Sequence, residues 1–140
     1  MSKIETELSS EFVDATIREF GNKIWIEKQC DSLRAGTPDI YASINGLFIP
    51  IECKRAIGKG NSILSHTFTK IQKRQLKILA YNAFPIGLIF SNSEKRWILP
   101  LHIREDGNMS LDQYLSLPIF SWREVYDAAS RHRQDRSNWR

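Results

Sequence analysis

Cysteine is scarce in this chain of 140 residues, which carries only Cys30 and Cys53. The two do not form the C-x-x-C spacing that is typical of zinc ligands and thiol redox centres. Two isolated cysteines are also too few for the bridges that hold a small disulfide-rich domain together. The composition therefore argues against a disulfide scaffold and a cysteine zinc site. It predicts reduced thiols in an intracellular, cytoplasmic protein, and a phage-encoded or nucleoid-associated protein would fit equally.

Long hydrophobic runs are also missing. No apolar segment approaches the roughly 20 residues that a helix needs to cross a bilayer, and the first twelve residues contain no apolar stretch of signal-peptide type. The hydrophobic fraction of 41% still suffices for a core. We expect a single domain over residues 1–140, with a basic tail at about 131–140 and no membrane association.

Several enzyme signatures are absent as well. The three histidines do not cluster in the sequence, and there is no P-loop or dinucleotide-binding fingerprint. No arrangement of the Ser-His-Asp or Cys-His kind is recognisable. The sequence therefore offers no nucleophilic triad and no nucleotide-binding loop, and its chemistry has to be sought among carboxylates and lysines.

Acidic residues are missing from Cys53 to Ser93, although the net charge of the whole chain is only +4. The last ten residues add four arginines against one aspartate. Concentrated positive charge is expected of a protein that binds nucleic acid, and a solvated helix face with a disordered tail is the alternative. The basic residues of the acid-free span are Lys54, Arg55, Lys59, Lys70, Lys73, Arg74 and Lys77.

The order of predicted elements is helix, three strands, helix, two strands, helix, which indicates an α/β fold with a mixed sheet. Asn45-Gly46 is a strong two-residue hairpin turn between the second and third strands. We therefore predict a central five-stranded sheet flanked by helices. The predicted helices cover 3–20, 68–83 and 122–132, the strands cover 23–29, 39–44, 47–54, 86–92 and 96–101, and a basic loop covers 55–67.

Three charged side chains interrupt the predicted hairpin. Asp39 opens one strand, and Glu52 and Lys54 share a face of the next because positions i and i+2 of a strand point the same way. Carboxylates a few ångströms apart disfavour each other's ionisation. A bound Mg²⁺ removes this repulsion, and its usual ligands are one or two carboxylates, water and a substrate phosphate. The pattern predicts metal-assisted phosphate hydrolysis, with Lys54 stabilising charge or positioning water. A structural Glu–Lys pair is the alternative.

The pattern Pro38-Asp39 followed by Glu52-Cys53-Lys54 resembles the signature of the PD-(D/E)xK nuclease superfamily. Within it, the stretch LRAGTPDIYASINGLFIPIECK is most similar to the Holliday-junction resolvases and the virus-type replication-repair nuclease (VRR-NUC) domains. The resemblance implies a restriction-endonuclease-like core and a Mg²⁺-dependent endodeoxyribonuclease, in which Mn²⁺ could substitute. It also implies that the backbone carbonyl of Cys53 binds the metal along with Asp39 and Glu52.

Flanking residues extend this resemblance from about residue 5 to residue 100. Arg34 and Gly36 stand before Pro-Asp, and the predicted helix 68–83 follows the lysine. The resemblance implies that the partner is DNA, branched in the manner of a four-way junction. It also implies a homodimer that cuts two strands symmetrically.

The resemblance further implies an acidic residue on the first helix that completes the metal site. The candidates are Glu5, Glu7 and Glu11. On a helical wheel Glu11 lies about 20° from Ile4 and borders the apolar stripe, Glu7 is further round, and Glu5 is at the far edge. We predict Glu11 as a catalytic and metal-binding residue, with Glu7 second. The alternative for each is an acid favoured by the helix dipole.

The predicted helix 68–83 carries Gln75 near the middle of a broad apolar face, and Gln72 also lies on that face. A buried glutamine needs hydrogen-bond partners, and in the nucleases that the chain resembles a glutamine after the lysine reaches the active site. We predict Gln75 in this role, with Gln72 as the second candidate. A glutamine at the rim of the core is the alternative.

The opposite face of this helix is basic, and we predict that it and the preceding loop contact DNA phosphates. A solvated helix face and an ordinary loop histidine are the alternatives. The predicted nucleic-acid-binding residues are Arg34, Arg55, Lys59, His66, Lys70, Lys73, Arg74 and Lys77.

Three other functions compete with a resolvase-like endonuclease. The chain could be a nuclease of the same fold with a restriction or flap substrate, a non-catalytic basic module that binds DNA, or an interaction subunit that receives its substrate from a partner. Metal-dependent cleavage would separate the enzymes from the other two.

Overall fold

The computed structural model describes residues 3–29, 36–59, 63–65, 68–91 and 94–137. Its helices are α1 (Lys3–Phe20), α2 (Lys70–Leu79), α3 (Leu111–Ser116) and α4 (Trp122–Ser137), with short 3₁₀ turns at Gly21–Lys23 and Pro100–His102. Its strands are β1 (Ile24–Lys28), β2 (Ile40–Ile44), β3 (Leu47–Arg55), β4 (Ile57–Lys59), β5 (Ile63–Ser65), β6 (Ile86–Phe90) and β7 (Lys95–Ile98).

Five of these strands form one mixed sheet in the order β1-β2-β3-β6-β7. Strands β3 and β6 run parallel, and the other neighbouring strands are antiparallel. Asn45 and Gly46 have φ values of 48° and 77°, positive at both positions as a type I′ hairpin turn requires. The turn sets Ile44 opposite Leu47. The predicted five-stranded mixed sheet is confirmed.

The sheet separates two apolar layers. Helices α1 and α4 cover one side, where Ile40 and Ile51 are fully buried, and α2 and α3 cover the other, where Phe68 packs with Ile89. Full burial of one such aliphatic side chain stabilises a fold by about 1.5–3 kcal/mol. Side chains alternate along β3, so Ile51 and Cys53 belong to the first layer and the residues between and after them face the second.

Several predicted boundaries differ from the structure, and three of the differences concern the loop and helices. The predicted basic loop contains a two-stranded hairpin, β4–β5, whose short strands around a glycine-containing tip resemble a loop in sequence. Helix α2 is shorter than 68–83 at both ends, because Thr69 caps its start and Ala80 caps its end. Helix α4 continues to Ser137 rather than residue 132, so most of the predicted basic tail is helical. Of the helices that the structure describes, none is both long enough and apolar enough to cross a bilayer.

Candidate active site

Asp39 lies immediately before β2, and its side chain makes a hydrogen bond to β3 beyond the last paired residues of the two strands. Its Oδ2 accepts a 2.8 Å hydrogen bond from the backbone N–H of Cys53 on β3. The N–H and C=O of a residue in an antiparallel ladder point toward the same neighbouring strand. The carbonyl of Cys53 is therefore directed to the same edge, beyond the last residue pair of β2 and β3, Ile40 and Ile51.

Glu52 is a carboxylate in a nearly closed environment, with 3% of its surface exposed. Burial, followed by the negative charge of Asp39, raises the pKa of Glu52 from 4.5 to about 9, although Lys54 acts in the opposite direction. Its Oε1 accepts a 3.0 Å hydrogen bond from Gln72 Nε2. With both carboxyl groups ionised, its Oε2 is buried without a hydrogen-bond donor in the described part of the chain, whereas a proton on one of them would allow a hydrogen bond between Glu52 and Asp39. Such an oxygen favours a proton or a cation beside it.

Lys54 lies on the same side of β3 as Glu52, as the strand pleat predicts. Its Nζ is 5.9 Å from the centre of the Phe68 ring, within cation–π range. Gly87 of β6 is the residue paired with Glu52, and a Cβ at Gly87 would come within 2.5 Å of the same ring. The glycine therefore makes room for the aromatic ring that supports Lys54.

The acidic residue that α1 brings toward this site is Glu5. Glu5 is 6% exposed, and its charge contributes to the raised pKa of Glu52. Glu7 is exposed, and Glu11 is exposed on a separate groove between α1 and α4. Six helical positions correspond to about 9 Å along the axis and about 120° around it. Glu11 thus lies on another face of α1, and its predicted place in the site is corrected to Glu5.

The buried face of α1 contains polar residues, so the apolar stripe in the sequence did not identify this face. Ser9 and Thr16 are buried there with Glu5, whereas Ile4 and Ile17 are 45% and 46% exposed. The two buried hydroxyls donate hydrogen bonds of 3.0 and 2.9 Å to backbone carbonyls within the helix, and the Thr16 hydroxyl also accepts a 3.1 Å hydrogen bond from Trp122 Nε1 on α4. The spacing 5, 9, 16 follows one helical face and was the available signal.

Lys28, the last residue of β1, fastens the start of α1 to the sheet. Its Nζ donates a 2.9 Å hydrogen bond to Ser10 Oγ and a 3.4 Å hydrogen bond to the carbonyl of Thr6. These bonds attach the first two turns of α1, including Glu5, to the strand layer.

The glutamine that reaches the site is Gln72. It forms a capping box with Thr69, in which Gln72 Oε1 accepts from the Thr69 N–H at 2.9 Å and Thr69 Oγ1 accepts from the Gln72 N–H at 3.1 Å. The remaining Nε2 donates to Glu52. Gln75 instead packs against the Gly36 segment, where an added Cβ would lie 3.0 Å from Gln75 Cγ. The contact with the site that was predicted for Gln75 is therefore made by Gln72.

The donor set suits a divalent cation that uses few protein ligands. Asp39, Glu52 Oε2 and the carbonyl of Cys53 are hard oxygen donors at one strand end. Within the described ranges, no three His, Cys, Asp or Glu side chains are grouped closely enough to hold a metal together. Mg²⁺ commonly keeps several waters and takes one or two carboxylates.

Known proteins resemble this chain in fold rather than in sequence. No protein-family model matches it, and no curated protein matches it. A solved structure that it resembles is Hjc, a Holliday junction resolvase from the archaeal hyperthermophile Archaeoglobus fulgidus, with a TM-score of 0.61 and 16% identity over 85% of this chain and 98% of Hjc. The chain shares the fold of Hjc, here called the resolvase fold. The fold that the sequence resemblance implies is thereby confirmed.

The basic residues of α2 occupy two environments on the resolvase fold. Lys70 and Arg74 are exposed. Lys73, predicted on the exposed face, is buried with its Nζ 3.1 Å from Glu105 Oε1, and Lys77 Nζ is 3.9 Å from the same oxygen. Arg55 is partly buried at the end of β3. The other predicted DNA contacts, Arg34, His66 and the side chain of Lys59, lie outside the described residues.

Proposed function

We propose that the protein is a metal-dependent endonuclease that hydrolyses DNA phosphodiester bonds. The observation that carries the proposal is the Glu52 carboxylate, which is buried beside Asp39 with one oxygen unpartnered. A carboxylate that served only to pair with Lys54 would gain more from an exposed or fully hydrogen-bonded position. The resolvase fold supports the proposal.

The residues of the site have two roles in this proposal, metal binding and stabilisation of charge. Asp39, Glu52 and the Cys53 carbonyl would hold Mg²⁺ or Mn²⁺. A bound ion would supply polarisation of the scissile phosphate and a water of lowered pKa. Lys54, supported by Phe68, stabilises the negative charge that develops on the phosphate or orients the attacking water.

Gln72 is a positioning residue in this scheme. Because Gln72 Nε2 donates its hydrogen bond to Oε1 of Glu52, the other carboxylate oxygen, Oε2, is left to bind a cation. The capping box fixes the amide orientation of Gln72, since Oε1 of the same side chain accepts from the Thr69 N–H. The start of α2 and the carboxylate are therefore held in one hydrogen-bonded unit.

We propose branched DNA, such as a four-way junction, as the substrate. The likeness to Hjc, which is described as a Holliday junction resolvase, supports this choice. The exposed basic residues Lys70 and Arg74 lie on α2, the helix that also contacts Glu52. Contacts of lysine and arginine with phosphates position DNA without reading its sequence. Recognition of shape and backbone is consistent with that arrangement.

We also propose a homodimer, because symmetric cutting of two strands requires two sites. An aromatic surface on β1–β3 could join the subunits: Trp25 is 49% exposed, and Tyr41 and Phe48 pack edge to face at 5.3 Å on the same side of the sheet. Aromatic residues are enriched at protein interfaces. Sedimentation equilibrium that returned only the 16.3 kDa monomer mass at micromolar concentration would contradict the dimer.

A cleavage assay tests the proposed function. Wild-type protein is incubated with a four-way junction, a flap and a linear duplex, in Mg²⁺ or in EDTA, alongside Asp39→Ala. We expect cutting of the junction in Mg²⁺ alone, and a loss of at least about 100-fold in Asp39→Ala because a ligand and a backbone hydrogen bond are removed.

Each other outcome identifies one alternative function. Binding without cutting in any metal would leave a non-catalytic DNA-binding module, and no interaction with DNA would leave an interaction subunit. Equal cutting of all three substrates, or preference for the flap, would indicate a nuclease of the same fold with another target. Full cleavage by Asp39→Ala would show that the site is elsewhere.

The contribution of α1 is tested by a matched pair of variants. Glu5→Gln is expected to lower cleavage about 10-fold or more and to raise the Mg²⁺ concentration needed, because a buried negative charge near the ion is lost. Glu11→Gln, on the other face of α1, is expected to stay within about 2-fold of wild type, since surface substitutions away from a site have little effect. Cleavage rates over a Mg²⁺ titration measure both. Equal responses would remove Glu5 from the site.

A further inference from the structure

A basic groove of about 750 Å³ runs along α2 on the side away from the hydrogen bond to Glu52. Its walls combine four cationic side chains of α2 with residues from two other segments. Its charged lining residues include Lys70, Lys73, Arg74, Lys77 and Glu105. We call it the α2 groove. Lysines and arginines are spaced along one edge of it, which is the charge pattern that a phosphate backbone requires.

One carboxylate disturbs that pattern. Glu105 comes from the loop after the Pro100–His102 turn, and its side chain is 94% exposed. A single oxygen, Oε1, lies 3.1 Å from Lys73 Nζ and 3.9 Å from Lys77 Nζ. The hydrogen bond from Lys73 and the charges of both lysines lower the pKa of Glu105, so the side chain is an anion at neutral pH.

Lys73 makes this contact from an unusual position. Its side chain is 8% exposed, yet its ion-pair partner is almost entirely in solvent. A buried ammonium needs an anionic partner, but a solvent-exposed carboxylate is held weakly and can be exchanged for another anion. Lys70 and Arg74 make no ion pair among the residues that the structure describes. An anion entering the groove therefore meets two available cations and two that Glu105 occupies.

We propose that the α2 groove binds a DNA backbone phosphate between Lys73 and Lys77, and that Glu105 occupies this phosphate position until DNA displaces it. The inference rests on the proposed nuclease function and adds a subsite and a brake on DNA binding. Glu105 presents one anionic oxygen to two ammonium groups, which is the contact that a phosphodiester oxygen would make.

The groove and the active site lie on different sides of α2 but share the elements that form them. Lys73 follows Gln72, whose amide bonds to Glu52. The loop that carries Glu105 packs against Phe68, since Gly107 lies so close to the Phe68 carbonyl oxygen that an added Cβ would overlap it. Lys54 lies over the ring of the same Phe68. A strand whose phosphate entered the groove would thus contact the same two elements that hold the site.

Salt-dependent DNA binding tests the proposal. The affinity of wild type and Glu105→Gln for a labelled four-way junction is measured by fluorescence anisotropy in EDTA, where no cutting occurs, between 50 and 200 mM salt. Each added phosphate contact steepens the slope of log K against log salt by about 0.9. We expect Glu105→Gln to bind about 3-fold to 10-fold more tightly at 50 mM salt, with a slope steeper by up to about 1, because one phosphate contact is affected.

Two further variants separate this effect from a general loss of negative charge. Asp106→Asn removes one charge from the adjacent residue, which pairs with Arg104 rather than with α2, and should leave slope and affinity nearly unchanged. Lys73→Met combined with Glu105→Gln should cancel most of the gain and keeps an apolar side chain in the buried position. Thermal melting confirms that each variant is folded.

The outcomes are distinct. If Glu105→Gln and Asp106→Asn tighten binding equally, or if the gain persists with Lys73→Met, the inference is overturned while the nuclease proposal stands. If neither wild type nor any variant binds DNA, the proposed function fails and this inference fails with it.

Discussion

Lys54→Met should reduce the rate of DNA cleavage by about 100-fold to 1,000-fold, the loss typical when a group that stabilises transition-state charge is removed. Methionine preserves most of the aliphatic stem that packs beside Phe68. The fold and the metal donors at Asp39 and Glu52 should therefore persist. Single-turnover rates at saturating protein isolate the chemical step from binding, and DNA affinity in EDTA should change by less than about 3-fold.

Lys70→Met is the matched control for this variant. Lys70 is an exposed lysine on α2, so its loss should weaken DNA binding and leave the saturated rate close to wild type. Lys54→Arg should recover little activity, because a planar guanidinium does not replace a compact ammonium held over a ring. If Lys54→Met cleaved within about 3-fold of wild type at saturation, the lysine would have no catalytic role.

The metal-free protein should lose stability as the pH rises from about 4.5 to about 9, because of Glu52. The folded state raises the pKa of this group from 4.5 to about 9, so in this window the folded chain retains a proton that the unfolded chain has released. The stability contributed by the retained proton is complete below pH 4.5 and is lost as the pH approaches 9. The slope is at most about 1.4 kcal/mol per pH unit, a total of several kcal/mol.

Glu52→Gln removes this dependence, because the amide carries no charge at any of these pH values. We expect it to be more stable than metal-free wild type at pH 8 by a few kcal/mol, and the two to converge near pH 4.5. Mg²⁺ should stabilise wild type at pH 8 by mass action and leave Glu52→Gln almost unchanged. Denaturant unfolding at several pH values, with and without Mg²⁺, measures both effects. Parallel pH profiles for the two proteins would contradict the assignment.

The hairpin half of the site could be predicted from sequence because its rules are local. The turn at Asn45-Gly46 sets the register, and the two-residue period of a strand places Glu52 and Lys54 on one face. Asp39 then follows at the open end, where its bond to the Cys53 N–H confirms the pairing. These positions depend on residues within one contiguous segment.

The helical half could not be predicted in the same way. An apolar stripe placed Glu11 near the core, but the buried face of α1 contains Ser9 and Thr16, whose hydroxyls donate to backbone carbonyls of the same helix. A central position favoured Gln75, but the contact with Glu52 is made at the capped start of α2, by Gln72. Both misplacements come from treating burial as an apolar property when the buried groups are polar and paired.

The start of α1 is attached to the sheet through Lys28, so Glu5 is held in place less firmly than Asp39 and Glu52. Glu5 belongs to the first turn of a helix, where opening is far cheaper than global unfolding. Asp39 and Glu52 are held by the sheet, so we expect opening of the first turn of α1 to move Glu5 while they stay in place. Lys28→Met should therefore accelerate amide hydrogen exchange at Ser9 and Ser10 without affecting β3, and equal exchange in both proteins would contradict this. Local opening at one helix end would then set how often the site contains all three acids.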